Sequence, residues 1–423
     1  MHRSDPARVY VRGAATAEAI EWGFWLALTV WWVVELALSP FQLVLMGVVL
    51  NIVVILSETP TGVVADLYSR RRSLILGEFI MAAGFFWAFA SRNYWVILPA
   101  QALFAFGWTF RSGADIAWVT DELRGQHPDS PEVANDDAIE RLILRKHAAG
   151  ILGSLVIVVL VMLIGSWSLR TAAFLCAGAK SGVGVYYLRR MTENHFTPQS
   201  ESSTFRQTLT EGTRVIRRTP RLTVAVAAMM IAGLSSEIFD RLGFAHFIDV
   251  AGTDIAGIDL SGMNDDSLIS TGLLFLVMGV AGVAVNRTAQ RSLDRQRGVV
   301  LVTAVLLVTA GVGGLLAATT GLVVLLSLGL TMQDSTRESL HSVFGSWINR
   351  DAPTEVRATV HSLTGQGLAI SEIGGGIVLG LLAERAGLSV VLVVSAVLML
   401  IAGGVALLAR GMEPVIHADR IGP

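Results

Sequence analysis

The sequence predicts an all-α integral membrane protein of twelve transmembrane helices in two six-helix pseudo-repeat bundles, and three observations predict it. Hydrophobic residues fill 53% of the 423 positions, charged residues only 16%, and the mean hydropathy is +0.60. So little polar side chain cannot cover a water-soluble body of this size, and the solvent has to be largely lipid. Apolar stretches of about 20 residues, the length that crosses a hydrocarbon core, recur along the chain between polar punctuation. Lys and Arg, finally, are divided unevenly between alternate loops.

The first span is expected from Glu18 to Leu38. Arg3, Arg8 and Arg12 precede it like the charged start of a signal peptide, but the run continues through Trp22, Trp25, Trp31 and Trp32 without a small-residue cleavage site. It reads as a retained span with interfacial tryptophans. The next five run Gln42 to Glu58, Leu74 to Ala90, Tyr94 to Ala117, Leu144 to Ile164 and Trp167 to Leu188. A long polar stretch over 191–221 follows, the expected cytoplasmic link between an N-terminal bundle (1–190) and a C-terminal bundle (222–423). The second six run Leu222 to Phe247, Leu268 to Val285, Val299 to Ala318, Leu322 to Ser342, Ala358 to Ala383 and Leu388 to Ala409.

With both termini cytoplasmic, three of the 32 basic residues, Arg92, Arg170 and Arg385, fall in or beside external loops, and four, Arg111, Lys180, Arg241 and Arg337, fall well inside spans. All others lie on the cytoplasmic side, as positive charge near short loops requires. An odd number of spans scrambles this asymmetry. The cytoplasmic cell membrane is the expected location.

The near-neutral net charge of -2 and the scattered basic clusters exclude nucleic acid as a partner. The single cysteine, Cys176, builds neither a disulfide framework nor a thiolate metal site. There is no H-E-x-x-H, no G-x-S-x-G and no P-loop, so a membrane-embedded enzyme or an ATP-driven pump lacks its residues, and no metal or cofactor is implied. His147 and His341 lie near span ends, where an interfacial role is expected.

Between the second and third spans the chain reads Gly62-Val-Val-Ala-Asp66-Leu-Tyr-Ser-Arg70-Arg71-Arg72. This resembles the signature loop of the major facilitator superfamily, G-x-L-a-D-r-x-G-r-k, with Ser69 at a usual glycine and Leu67 at a usual basic position. A turn here has to reverse the chain at the membrane face; Gly62 permits close helix approach and Asp66 can accept hydrogen bonds from a helix N-terminus. Asp121 and Glu122, at the end of the fourth span, supply acids for Arg70, and the resemblance implies that such a pair latches the outward-facing state. The loop over Arg287 to Arg295 is a degenerate basic counterpart, as a 6+6 pseudo-repeat predicts. The likeness covers essentially the whole chain and is nearest to bacterial drug-efflux proton antiporters, including the tetracycline-export type. Two hallmarks of that group differ here: Leu103 stands where an arginine is usual, and Gly150-Ile-Leu-Gly153 lacks its proline.

The resemblance implies a central cavity lined by spans one, four, seven and ten, and alternating access as the mechanism. Ionisable residues at membrane depth are costly unless paired or wet. Arg111 and Asp115 share a helical face at i,i+4, as do Glu237 and Arg241, while Asp334 and Glu338 flank Arg337. These clusters serve equally as buried ion pairs that fix register or as cavity charges. Arg241 has a choice of Glu237 or Asp240, which leaves one carboxylate under-compensated and ready to take a proton. Glu237 is the first expected coupling residue, followed by Asp240 and Glu372. Glu78 and Lys180 are expected to be structural.

Trp25, Trp108, Phe110 and Phe239 form a group of aromatics for stacking on a substrate, and Gln333 and Gln366 supply amide groups. Gly374, Gly375, Gly376 and Gly380 permit a tight crossing or a hinge. The expected partners are a small-molecule substrate, protons and lipid, acting on a monomer. Export of a hydrophobic or amphipathic compound fits first, and proton-linked uptake of a polar solute second.

Overall fold

Polar punctuation becomes helix caps. In the computed structural model, which describes residues 5–126, 136–198, 213–251, 266–294, 298–353 and 356–412, Asp5 caps α1 (Pro6–Val30) by accepting from the Ala7 amide at 3.0 Å, with Pro6 at the first position. A π turn, Trp31–Glu35, extends this helix. After α2 (Pro40–Leu67), Ser69 caps α3 (Arg70–Ala88) and Asn93 caps α4 (Tyr94–Arg111). Then come α5 (Ala114–Gln126), α6 (Asp136–Gly165) and α7 (Leu169–Arg190), the last capped by Ser168. The second half holds α8 (Pro220–Ile238), a π turn at Phe239–Gly243, α9 (Phe244–Ala251), α10 (Asp266–Asp294), α11 (Val299–Thr319), α12 (Val323–Asp351), α13 (Arg357–Ala386) and α14 (Leu388–Leu407).

With α4–α5 and α8–α9 each taken as one rod, twelve long rods stand among the described residues beside a short helix over 213–218, and no strand does. Seven of them, α2, α6, α8–α9, α10, α11, α13 and α14, are long and apolar enough to cross a membrane on length and composition alone. The other five are the helices that carry Glu21, Glu78, Arg111, Lys180 and Arg337. The fourth span, expected to run unbroken to Ala117, breaks at Ser112–Gly113, where Gly113 takes φ +75°. That left-handed backbone suits glycine and ends α4. Observed helices also outrun the expected apolar cores: the second span was expected over Gln42 to Glu58, whereas α2 holds 28 residues. Its polar end turns satisfy their own backbone groups and need no apolar sequence.

The chain forms two compact units. Unit 1 contains α1, residues 49–67 of α2, α3 to α7, and residues 266–276 of α10; unit 2 contains residues 40–48 of α2, α8, α9, the rest of α10, and α11 to α14. The link expected over 191–221 includes residues 199–212, and the connection between α9 and α10 comprises 252–265; both of these stretches lie outside the described residues. Inside unit 1, α1 packs on α6 and α7, and α3 on α4 and α7. Inside unit 2, α8 packs on α13 and α14, and α11 on α12 and α14. Each pairing in the first set maps onto one in the second by advancing six spans, which is the mark of a repeat.

Unit 1 is cored by stacked rings, with the Phe24 and Phe85 centroids 3.5 Å apart and Phe104 5.6 Å beyond Phe85. Unit 2 is cored by small and branched residues around Trp347. One end of unit 2 is pinned by Asp351, which takes Arg221 Nε at 2.8 Å and the Trp347 indole N–H at 2.9 Å. The outward faces expose Leu56, Leu152, Val156, Leu163, Val324 and Val378. Contiguous apolar surface of this kind is costly in water and neutral in lipid, so the chain is a multi-pass membrane protein.

The same close crossing occurs in both units. A Cβ on Gly77 of α3 would stand 2.7 Å from the Gly107 carbonyl oxygen of α4, and one on Gly313 of α11 would stand 2.7 Å from the Gly329 carbonyl oxygen of α12. Val at Gly77 or Gly313 is expected to cost about 1–3 kcal/mol by overpacking. Thermal unfolding in detergent checks this against Ala at Gly178, around which nothing lies within 4 Å; equal midpoints would disprove the crossing.

Candidate functional site

Four carboxylates with separate tasks, Asp66, Asp121, Glu122 and Glu193, hold the signature loop and the segment beside it. Arg70, 4% exposed, lies between the Asp66 carboxylate at 3.4 Å, the Ala117 carbonyl at 3.3 Å and the Asp121 carboxylate. Glu122, expected as an alternative acid for Arg70, turns elsewhere: it accepts the Asn194 amide at 2.7 Å and the His195 amide at 3.0 Å. The reason is helical direction, since adjacent residues point about 100° apart. Glu193, which the sequence reading missed, accepts the Arg71 amide at 2.9 Å and the Ser69 hydroxyl. Arg71 donates to the Met191 carbonyl at 2.9 Å and the Leu188 carbonyl at 2.7 Å, and the Trp118 indole to the Thr192 carbonyl at 2.8 Å. Residues 191–196 thereby form a strap over the loop and α5. The only sequence signal for the strap is an acid following the basic end of α7. Gly62 has nothing within 4 Å of a Cβ position, so the close approach expected there is absent.

Four ionised side chains meet inside unit 1. Arg111 of α4 binds the Glu21 carboxylate of α1 with both terminal nitrogens, the Nη2 contact being 2.9 Å. Lys180 of α7 binds Glu21 as well, and Glu78 of α3 at 2.7 Å; Arg111 lies 3.8 Å from Glu78. Glu78 and Lys180 are fully buried. Two acids against two bases leave the cluster neutral, the condition for holding charge at such depth. The expected Arg111–Asp115 pair does not form. Gly113 breaks the helix between them, and Asp115 instead accepts the Ile116 amide in the first turn of α5. Glu21 was not singled out because its partners are 90 and 159 residues away in sequence.

Unit 2 gathers carboxylates around two guanidiniums. Arg241 Nε lies 3.4 Å from Glu237, while Arg337 reaches Asp240 at 2.8 Å, Asp334 at 3.6 Å and the Ser236 hydroxyl at 3.4 Å. The expected choice for Arg241 is thus resolved, because Arg337 of α12 takes Asp240. Glu372 of α13 hydrogen-bonds with Ser236. A cavity of about 30 Å³, room for a water, is lined by Ser236, Arg337, His341, Phe344 and Glu372. The side chain of Glu338 lies outside the described residues.

Gly47 of α2 makes room for this group: a Cβ there would overlap the Glu237 carboxylate and stand 3.0 Å from Arg241 Nε. Gly375 is likewise pressed against the Leu234 backbone, and Gly376 and Gly380 against Val44 of α2, whereas nothing lies near Gly374. Gln333 is buried and its amide nitrogen has no partner among the described residues; Gln366 is half-buried. Of the aromatics, Phe110 and Phe239 are buried in helix packing, while Trp25 and Trp108 are half-buried.

No family model and no curated protein sequence matches the chain. Solved structures do. A crystal structure of the nucleoside transporter NupG superposes with a TM-score of 0.78 at 14% identity, over 95% of this chain and 99% of that one. A POT family transporter in complex with a thioalcohol-conjugated peptide gives 0.72 at 13%, over 96% of each chain. A bacterial homolog of the human lysosomal transporter Spinster, inward-facing and unoccupied, gives 0.69 at 13%, over 96% and 97%. The fold is therefore the major-facilitator type of these membrane transporters.

The four-charge cluster makes a prediction about balance. Lys180→Met leaves Glu78 uncompensated and is expected to lower stability by about 3–5 kcal/mol. Adding Glu78→Gln should return much of that loss. A double-mutant cycle on unfolding midpoints checks it, and strictly additive effects would contradict the pairing.

Proposed function

We propose that the chain is a proton-coupled secondary active transporter of a small solute, working by alternating access of its two units, with both termini on the cytoplasmic side of the cell membrane. One observation carries this reading. Among the described side chains of unit 2, four carboxylates, Glu237, Asp240, Asp334 and Glu372, share two guanidiniums, Arg241 and Arg337. Ionised together they leave a surplus of negative charge in a poorly hydrated interior, and binding protons relieves it. The unit 1 cluster is balanced and needs no proton. Glu237, wedged against Gly47, and Glu372, beside the water-sized cavity, are the coupling groups; Asp240 is the third.

The substrate that this interior suits best is polar. Buried Gln333 and Ser236 offer uncharged hydrogen-bonding groups among the charges, and the similar structures include a nucleoside transporter and a transporter in complex with 5-aminolevulinic acid. Export of an amphipathic compound is the second reading. Half-buried Trp25 and Trp108 and the signature loop's likeness to drug-efflux antiporters favour it.

Proton exchange on substrate addition tests coupling. Detergent-solubilised protein mixed with nucleosides, short peptides or lipophilic cations in weak buffer should exchange protons with one class only. Glu237→Gln and Glu372→Gln should each abolish the signal; a full signal in both variants would sink the assignment. The latch is tested separately in liposomes. Asp66→Asn and Glu193→Gln, which loosen the signature loop, should slow transport about tenfold or more while leaving substrate affinity within about twofold. A pure affinity defect would contradict a role in switching.

A further inference from the structure

Two of the three arginines that charge asymmetry assigns to external loops converge on one hollow of unit 1. It has a volume of about 400 Å³ and is lined by Trp31 and Glu35 from the end of α1, Arg92 from the α3–α4 turn, and Trp167, Ser168 and Arg170 from the start of α7. Both cations lie over one indole: the guanidinium carbon of Arg170 is 4.8 Å and that of Arg92 5.6 Å from the Trp31 ring centroid. Arg92 is already paired with Glu35. No carboxylate pairs with Arg170 among the described residues. Trp31 is 2% exposed, and its N–H has no acceptor among the described residues.

The backbone is irregular at the same place. The π turn Trp31–Glu35 forms one wall, and two residues on Ala37 takes φ +46°, the one left-handed non-glycine among the described residues. Such departures concentrate where function requires them. Two arginines against one glutamate leave the lining with a net positive charge at a face where the chain otherwise avoids basic residues.

We propose that this hollow binds an oxyanion, a phosphate or carboxylate group, with Arg170 as the principal ligand and Arg92 held beside it by Glu35. The planar guanidinium presents paired donors that match either group. Trp167, 92% exposed, is an interfacial anchor that sets the hollow at headgroup depth, so the anion comes from a lipid headgroup or from free solute. The site is independent of the coupling carboxylates of unit 2.

Inorganic phosphate titrated into the detergent-solubilised full chain, followed by calorimetry, should bind in the order Glu35→Gln tightest, then wild type, then Arg170→Gln. Loss of the charged ligand should weaken binding about tenfold. Unfolding in phosphatidylglycerol against phosphatidylcholine nanodiscs separates the sources. Stabilisation by phosphatidylglycerol that disappears in Arg170→Gln identifies a headgroup, and phosphate binding in detergent that disappears identifies a free anion. Identical behaviour of the three proteins towards both probes overturns the site. So does an equal loss in Arg385→Gln, which would reduce the effect to diffuse surface charge.

Discussion

A charged side chain in hydrocarbon has to find its counter-charge on another helix, because no water is there to supply it. Most of what is unusual in this molecule follows from that demand. The five rods that fall short of simple apolar spans carry Glu21, Glu78, Arg111, Lys180 and Arg337, and these charges meet partners inside the bundles. Arg111 and Lys180 reach Glu21 and Glu78 across four helices of unit 1, and Arg337 reaches back from α12 to Asp240 in the π turn that follows α8. These contacts fix rotation and height of each helix where apolar packing alone tolerates sliding.

The two units meet the demand differently. Unit 1 balances its charges, two acids against two bases, and is cored by stacked rings. Among the described side chains, unit 2 sets four carboxylates against two guanidiniums, beside a space large enough for a water. The repeat thus copies the helix pairings while the described charges differ in balance between its halves. The matching glycine crossings, Gly77 with Gly107 and Gly313 with Gly329, keep the scaffold common to both.

At the helix ends the demand is for backbone partners rather than counter-ions. Ser69, Glu122 and Glu193 take the amides of α3 and of the strap, and Arg71 fills the carbonyls that end α7. The signature loop is thus one side of a small polar assembly whose other side is the segment after α7. Arg70 links α5 to the loop, because Asp66 and Asp121 grip it from different helices.

Composition, the recurrence of apolar stretches and the placement of Lys and Arg determine that the chain lives in lipid, and the Gly62 to Arg72 loop marks its fold. These features are legible because hydrophobicity and loop charge are local properties, readable residue by residue. The Arg70–Asp121 contact was within reach for a related reason, since the resemblance supplies the pairing that distance along the chain conceals. Tertiary structure alone decided that Arg111 turns from Asp115 to Glu21, that Glu122 and Asp121 part company, that Glu193 closes the loop, and that α2 and α10 each divide between units. The cause is common to the first three. A charge chooses its partner by distance in space through a low-dielectric interior, and one glycine at φ +75° or one extra residue in a helical turn redirects that choice without leaving any periodic trace in the sequence.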